Sequence, residues 1–357
     1  MNQPGSVNGA PSRMLESLPD DVVASIEVRD AWRKRATSGT DGLEFIISDL
    51  AKWPPGSTVR VAFLDGDADL HADIASATRQ ITESCNLTLD FGLNGATGEY
   101  RRWTEEDTAH AAEIRVSFDL GGYWSLVGTD SNDRSIGTQG GPIGGGPAQR
   151  SLNLGGFTTD RPTDWEGTVR HEFLHALAFH HAHQNMRGPC ESEFRWEDDP
   201  GYVPTKDENG VFIPDPDGRA PGIYTYLAGP PNGWPRQKVD HNLRTEDDPA
   251  TVVGPFDPDS VMLYRFEPFF YKRTPSPCAP TGNGVDISSG DKRGLHLLYP
   301  GIAAEVAVIA ARANRALDAI GARQESDGGP MSEYQERVVR LLEARAAAGA
   351  ARVPVGG

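Results

Sequence analysis

The pattern of apolar and polar positions predicts a mixed β-sheet with helices packed on it. The run Val59–Asp65 (VRVAFLD) alternates as a half-buried strand does, and Ala72–Cys85 carries apolar residues at helical spacing. Leu87–Phe91 and Ile114–Phe118 predict two further strands, and Ser151–Phe157 predicts a short one. A strand, then a helix, then more strands is the element order of a sheet covered by helices.

The regions on either side of this core have helical patterns. A helix-like stretch lies around Leu15–Arg35, and Ala303–Gln324 and Met331–Ala348 predict two amphipathic helices whose apolar faces dock on the parent domain. Inside the core, the Gly-rich residues 128–149 predict a loop and Gly222–Leu227 a short helix. We predict an N-terminal extension over residues 1–56, a core domain over 57–300 and a C-terminal helical extension over 301–357.

The composition excludes some classes of function. A formal net charge of −17 over 357 residues argues against nucleic acid as a partner, because phosphates would be repelled. No apolar run approaches the roughly 20 residues of a membrane span, and the polar start of the chain shows no signal peptide. We therefore expect either a cytoplasmic protein or export by a route that this chain does not show. The oligomeric state is not indicated.

Three cysteines are too few for a disulfide scaffold. Cys190 and Cys278 would be able to pair in an oxidising environment, and three ordinary thiols are an equally good interpretation.

The chemistry of the chain is indicated by residues 169–184, VRHEFLHALAFHHAHQ. His171 and His175 are four residues apart, so on a helix both imidazoles project from one face and can share a metal ion. Glu172 follows about 100° further round the helix, where its carboxylate can accept a proton from water. On its own this HExxH pattern also fits two hydrogen-bonded histidines on a polar helix face.

A third histidine strengthens the metal-site interpretation. On an uninterrupted helix, His181 would point about 80° away from the pair. It can reach the same ion only if the helix ends near Ala178–Phe179 and the chain turns back. Neighbouring His180 and His183 are expected to lie at the surface or behind the ligands.

Two further segments fit a peptidase. In Asp259–Tyr264 (DSVMLY), a methionine in a tight turn is followed two residues later by a tyrosine whose hydroxyl can approach the metal or a reacting carbonyl. Either Tyr123–Thr129 or Ser151–Phe157 is a candidate for an exposed strand edge that holds an extended substrate.

Taken together, HExxHxxxxxH and the distal methionine turn resemble the metzincin superfamily of zinc peptidases. The runs HEFLHALAFHHAHQ and FDPDSVMLY are most similar to astacin-like peptidases, and the likeness extends from about Val59 to Pro300.

This resemblance implies an α+β, two-lobed catalytic domain with a twisted mixed five-stranded sheet, an active-site helix and an irregular lower lobe. One catalytic Zn²⁺ on His171, His175 and His181 is then expected. Glu172 would be the general base for a water that the zinc activates, and Tyr264 would be an extra ligand or transition-state stabiliser. The implied activity is that of a zinc endopeptidase acting on protein or peptide substrates.

The chain departs from the family pattern at three places. Ala178 stands where the family has glycine at the bend, at a cost of roughly 1–2 kcal/mol for a left-handed backbone. Ala182 replaces the glutamate that follows the third histidine, and the stretch from His181 to Met262 is longer than usual. Residues 1–56 contain neither a cysteine switch nor an aspartate switch, so control of the activity is left open.

Two other interpretations remain at this stage. Glu191 or Glu193 would be the third ligand if the site were of another HExxH type. Alternatively, the protein is non-catalytic, with a structural zinc site in which Cys190 is the fourth ligand. The acidic stretches Thr129–Ser135 and Asp215–Gly218 are expected to be solvated turns, because neither has the spacing of a calcium-binding loop.

Overall fold

The computed structural model describes residues 16–37, 50–245, 254–327, 331 and 333–350, and a five-stranded sheet lies at its centre. The strand order across the sheet is β2 (Thr88–Asp90), β1 (Thr58–Phe63), β3 (Ile114–Ser117), β5 (Leu152–Leu154) and β4 (Tyr123–Ser125). The first four are parallel, and β4 pairs antiparallel with β5 at the edge. The expected mixed five-stranded sheet is thus confirmed, whereas the two lobes and the domain boundaries stay predictions.

Ten helices are described, and most of them either precede the first strand of the sheet or follow the last one. They are α1 (Asp20–Thr37), α2 (Ala68–Ala77), α3 (Arg79–Thr82), α4 (Trp165–Ala176), α5 (Cys190–Glu193), α6 (Ile223–Ala228), α7 (Arg236–Leu243), α8 (Ser289–Leu298), α9 (Ala303–Asp327) and α10 (Glu333–Ala350). Short 3₁₀ turns span Gly128–Asn132, Ala182–Gln184 and Pro268–Phe270. A small hairpin pairs β6 (Thr205–Lys206) with β7 (Phe212–Ile213).

Most predicted elements of the core are found, with shifted ends. The helix predicted over Ala72–Cys85 begins at Ala68, because the side chain of Asp67 caps it by accepting from the Leu70 N–H (2.8 Å). It ends at Ala77, and the short helix α3 begins two residues later, at Arg79. The predicted strands, the Gly-rich loop and the helices near Gly222 and after Ala303 are present. Leu15 and residues 38–49 lie outside the described residues.

The first hydrophobic core, here called the sheet core, forms between the sheet and α2, α4 and α8. Val61, Phe63, Ile74 and Phe173 are among its fully buried side chains. Burying such side chains stabilises the fold by about 1.5–3 kcal/mol each. This core therefore fixes the face of α4 that carries the histidines.

A second cluster, here called the aromatic core, is built from short elements. Its members include Phe194, Trp196, Tyr226, Trp234, Phe270 and Tyr271. Cys190 and Cys278 form a buried disulfide inside it. The pairing of these two cysteines is therefore found, and Cys85 is the free, half-buried thiol. The long stretch between His181 and Met262 supplies most of this cluster.

The terminal helices pack on the core, as expected from their apolar faces. Helices α9 and α10 pair with each other and, with Leu50, bury Ala313, Ala316 and Leu342. Among the described residues, no single helix is long and apolar enough to cross a membrane, and only the consecutive helices Ser289–Leu298 and Ala303–Ala322, bent by 52°, reach that length and composition as a pair.

The prediction of solvated acidic turns is wrong for Asp130, Asp133 and Asp215, whereas Asp217 lies in a turn with its side chain 70% exposed. Asp130 and Asp133 are buried, and Asp130 pairs with Arg29 and Asp133 with Arg337. Asp215 is also buried, and its carboxylate accepts from the backbone N–H groups of Asp217 (3.0 Å) and Arg219 (2.9 Å).

Candidate metal centre

Helix α4 presents His171 and His175 on one face, as their spacing predicts. Their ring centroids are 4.9 Å apart. Nδ1 of His171 donates to the carbonyl oxygen of Val261 (2.9 Å), and Nδ1 of His175 donates to that of Phe179 (2.7 Å). With the proton on Nδ1, each Nε2 keeps a lone pair facing the same space, which is the arrangement of a metal-binding histidine.

The chain leaves α4 through a bend that ends the helix. The N–H of Ala178 donates to the carbonyl of His175 (2.8 Å), and the N–H of Phe179 donates to that of Leu174 (3.0 Å). This pair of bonds is a Schellman motif, with Ala178 in the left-handed conformation (φ 68°) where glycine is usual. The bend expected near Ala178–Phe179 is therefore found at those residues.

Beyond the bend, the chain returns His181 to the face of α4. Nε2 of His181 lies 3.1 Å from Nε2 of His175, and the ring centroids of His181 and His171 are 5.4 Å apart. The backbone N–H of Ala182 donates to the carbonyl of Met262 (2.9 Å), which joins this segment to the methionine turn. The structure thus brings the three predicted histidines together.

A fourth group stands among them, and it comes from the N-terminal extension. Oε2 of Glu16 is 3.0 Å from Nε2 of His171 and 3.2 Å from Nε2 of His181, and Oε1 is 3.4 Å from Nε2 of His175. Sequence reasoning missed Glu16, because no spacing or motif links it to the histidines. Only the packing of α1 on the core, which brings residue 16 to the site, would have indicated it.

The four groups fit a zinc ion in donor type and in spacing. Zinc prefers imidazole nitrogen and carboxylate oxygen at about 2.0–2.2 Å in a tetrahedron, which places neighbouring donor atoms about 3.3 Å apart. The donor atoms of Glu16, His171, His175 and His181 all lie within 4.8 Å of one another, and the separations between specific atoms given above are 3.0–3.4 Å.

The methionine turn closes the site on one side. Met262 is buried, and Tyr264 stacks on His171 with ring centroids 5.8 Å apart. The hydroxyl of Tyr264 donates to Oε2 of Glu16 (3.0 Å), which places this hydroxyl beside the histidine nitrogens. Burial, together with the charges of Glu16 and Glu172, raises the pKa of Tyr264 well above its usual value, so the hydroxyl keeps its proton.

Glu172 follows His171 on α4 and lies next to Glu16. Its carboxylate is buried, and Oε2 has no hydrogen-bond partner within the described residues. Burial and the neighbouring charge of Glu16 raise the pKa of Glu172 well above its usual value. Burial by itself would raise the pKa of Glu16 as well. The neighbouring His175, His171 and His181 outweigh it and hold the pKa of Glu16 well below its ordinary value.

The two remaining histidines of residues 169–184, His180 and His183, do not face the space between the three predicted ligands. His180 is exposed. His183 is buried behind Tyr264, with ring centroids 5.0 Å apart, and its Nε2 donates to the carbonyl of Asn242 (3.0 Å). Burial lowers the pKa of His183 to about 4, so this ring is neutral at neutral pH.

The alternative ligands considered from the sequence lie elsewhere. Glu191 accepts hydrogen bonds from Arg244 and from the backbone N–H of Thr245, and Glu193 pairs with Arg273 (2.8 Å). Cys190 is bonded to Cys278, so it is not available as a thiolate ligand.

Solved structures of other proteins resemble the structure of this chain, whereas sequence comparisons find no match. No protein-family model and no curated protein matches the chain. Myroilysin is 24% identical over 71% of this chain and 97% of its own, with a TM-score of 0.47. High choriolytic enzyme 1, a hatching enzyme zinc-protease from Oryzias latipes (medaka), is 16% identical over 70% of this chain and 94% of its own, with a TM-score of 0.37.

High choriolytic enzyme 1 is thus a zinc-protease, the kind of enzyme that the two sequence motifs resemble. Because both TM-scores are below 0.5, this likeness by itself assigns neither an activity nor a metal to the chain.

Proposed function

We propose that this chain is a zinc-dependent endopeptidase that hydrolyses peptide bonds in protein or peptide substrates. The observation that supports it most is the convergence of three Nε2 atoms, from His171, His175 and His181, beside a carboxylate of Glu172 whose Oε2 has no hydrogen-bond partner among the described residues. A site that only held the fold together would have no use for that carboxylate. The proposed metal content is one zinc ion on the three histidines.

In this proposal the fourth position, near Glu16, is where water and substrate act. A bound zinc supplies a Lewis acid that lowers the pKa of water and polarises a carbonyl group. The histidines are held in the required tautomer by the carbonyls of Val261 and Phe179. The carbonyl groups therefore select which nitrogen of each ring faces the ion.

Glu172 is the proposed general base. Its carboxylate takes the proton from the attacking water and returns it to the leaving amine. Burial and the charge of Glu16 raise the pKa of Glu172 well above its usual value, which makes its carboxylate a stronger base. The proposed role of the Tyr264 hydroxyl is to donate a hydrogen bond to the oxygen of the scissile carbonyl as its charge develops, which its position beside the Nε2 atoms supports.

Substrate binding is proposed at strand β4. This strand has β5 on one side and forms the edge of the sheet, and α4 packs against it. An extended peptide can add to such an edge by main-chain hydrogen bonds. Of the two candidates from the sequence, Tyr123–Ser125 is the edge strand, whereas Leu152–Leu154 lies between two neighbours.

The test measures zinc content and peptide cleavage in the same samples. The full chain and its Glu16→Ala variant are assayed on a casein-like substrate, so that the carboxylate of Glu16 does not hide an activity. Introducing Glu172→Gln into both is expected to leave the zinc stoichiometry unchanged and to lower the cleavage rate by about 10²–10⁴-fold. His181→Ala is expected to lower the zinc content.

Two results would reject the proposal. One is cleavage by the Glu172→Gln proteins at the original rate. The other is a full complement of zinc with no cleavage in either background, which would favour the non-catalytic zinc protein.

A further inference from the structure

A surface cavity lies beside the methionine turn and is formed by the residues that follow Tyr264. It has a volume of about 300 Å³, and its lining includes Arg265, Phe266, Tyr271, Arg273, Ser276 and Pro280. It is here called the arginine cavity. None of the residues to which the proposed reaction assigns a role lines it. The cavity is therefore a feature that the proposed chemistry does not use.

The arginine cavity adjoins the candidate metal centre through Phe266. The ring of Phe266 lines the cavity and also meets the ring of Tyr264 edge to face, with centroids 5.6 Å apart. Its distance to the ring of His183 is 5.7 Å. An extended peptide rises by about 3.3 Å per residue, so a substrate bound at the Tyr264 hydroxyl reaches the cavity with a side chain within about three residues of the cleaved bond.

The two arginines of the cavity differ in their partners. Arg273 pairs with the carboxylate of Glu193 (2.8 Å), which neutralises its charge. The guanidinium of Arg265 donates to the carbonyl oxygen of Gly282, and it forms no ion pair with any described residue. A guanidinium presents several N–H donors in a planar fork that matches a carboxylate. Arg265 therefore keeps donors and an unneutralised charge for an anion.

A buried hydroxyl in the same cavity also has an unused proton. Tyr271 is 6% exposed, and its hydroxyl, which lies near the backbone of Phe266, has no acceptor for that proton among the described residues. Burial raises the pKa of Tyr271 to about 12, so the hydroxyl stays protonated at neutral pH. The charge of Arg265 opposes this rise in pKa, because the two groups are close enough to interact. An acceptor in the cavity would satisfy the hydroxyl.

The walls of the arginine cavity are held in place by the aromatic core. The ring of Tyr271 lies 5.9 Å from that of Phe194, and the two residues form a backbone bridge. The disulfide between Cys190 and Cys278 ties the wall formed by residues 275–280 to α5. A site that is built before its ligand arrives loses little conformational entropy on binding.

We propose that the arginine cavity is a specificity subsite for an acidic side chain of the peptide substrate, with the Arg265 guanidinium and the Tyr271 hydroxyl as donors to its carboxylate. The proposal rests on the proposed peptidase function and adds its substrate class. The net charge of −17 opposes an acidic peptide at long range. Salt screens that repulsion beyond about 8 Å, so the contacts inside the cavity decide the preference.

The first test measures which residues surround the cleaved bonds. The full chain and its Glu16→Ala variant are given a proteome-derived mixture of peptides, and the products are sequenced by mass spectrometry. Aspartate and glutamate should be enriched at one position close to the cleaved bond. In a matched pair of peptides with glutamate or glutamine at that position, the glutamate peptide is expected to have a kcat/KM about 10-fold higher, as for a hydrogen bond between charged groups.

Variants of the two donors should change this preference. Arg265→Ala is expected to remove the difference between the two peptides, and Arg265→Glu to favour a lysine peptide over the glutamate peptide. Tyr271→Phe keeps the ring in the aromatic core and should lower the preference to about 3-fold. Arg265→Lys, which keeps the charge, should retain part of it. A glutamate preference that persists in Arg265→Glu would overturn the proposal.

Lys272→Ala is the matched control. This exposed lysine belongs to the same segment but does not line the cavity, and it donates to the carbonyl of Ser192 (2.9 Å). The glutamate preference should be unchanged in this variant. Thermal unfolding followed by circular dichroism shows that each variant is folded, and an equal loss of preference in Lys272→Ala and Arg265→Ala would reject the assignment to Arg265.

A binding measurement separates the subsite from the peptidase function. Fluorescence anisotropy is recorded for labelled octapeptides that carry a single glutamate or glutamine at each position in turn, with Glu16→Ala/Glu172→Gln protein. At one or more positions the Kd should be about 10-fold lower for glutamate, and Arg265→Ala should abolish that difference. Equal binding of all glutamate and glutamine pairs overturns the subsite. If no variant cleaves any peptide but binding keeps the preference that depends on Arg265, the peptidase function fails and the subsite stands.

Discussion

The sheet core and the aromatic core hold the two sides of the site by different means. In the sheet core, regular strands and the helix α4 fix His171 and His175 through backbone hydrogen bonds and buried aliphatic side chains. In the aromatic core, helices of four to eight residues are held by contacts between aromatic rings and by a disulfide that joins α5 to Cys278 in a loop. The first arrangement follows from periodicity, whereas the second depends on contacts between residues far apart in the chain.

The largest expected difference between the two cores concerns their cysteines. Replacing Cys190 and Cys278 together by alanine is expected to lower the free energy of unfolding by about 2–5 kcal/mol, since a cross-link across a long loop is lost. Cys85→Ala, at a half-buried thiol packed on the sheet core, should cost about 1 kcal/mol or less. Urea unfolding followed by tryptophan fluorescence measures both, and equal losses would contradict the distinction between the cores.

A smaller effect is expected where the two sides meet, at Asp291. This buried carboxylate of α8 accepts from the hydroxyl of Ser260 (2.6 Å) and from the N–H of Val261 (3.0 Å), the residue whose carbonyl orients His171. Asp291→Ala is expected to weaken zinc binding about 10–100-fold, as loss of a group that orients a ligand does. Competition with a chelator of known affinity measures it.

Ser288→Ala gives the matched control. It removes the cap of α8, where the hydroxyl of Ser288 accepts from the N–H of Asp291 (2.9 Å), and should cost about 1 kcal/mol of stability. The contact of Asp291 with Val261 remains in that variant. Equal losses of zinc affinity in both variants would mean that Asp291 acts only through the stability of the helix.

The smallest effect is expected at the bend after α4. Ala178 has a left-handed backbone, so Ala178→Gly should raise the free energy of unfolding by roughly 0.5–1 kcal/mol. Ala176→Gly, two residues earlier in the helix, should lower it. Thermal unfolding of the two variants gives the signs, and destabilisation by both would show that the bend at Ala178 is not strained.

Sequence reasoning predicted the parts of the site that depend on local geometry. The spacing of His171 and His175 and the necessity of a bend before His181 follow from the dimensions of a helix. The position of Glu16 does not, because it depends on how α1 packs across the sheet edge. The buried pairs of Asp130 and Asp133 were likewise beyond prediction, since a short acidic stretch has the same composition whether water or an arginine from a distant helix surrounds it. The pairing of Cys190 with Cys278 was one of two interpretations that the sequence left open.

The contact between Asp291 and Val261 has a consequence for the order of synthesis. Val261 lies 90 residues after His171, and Asp291 lies 30 residues after Val261. A chain growing on the ribosome therefore contains all three histidines well before the carboxylate that steadies the first of them has been added. High-affinity capture of zinc is accordingly expected late in translation, once α8 has emerged and can fold.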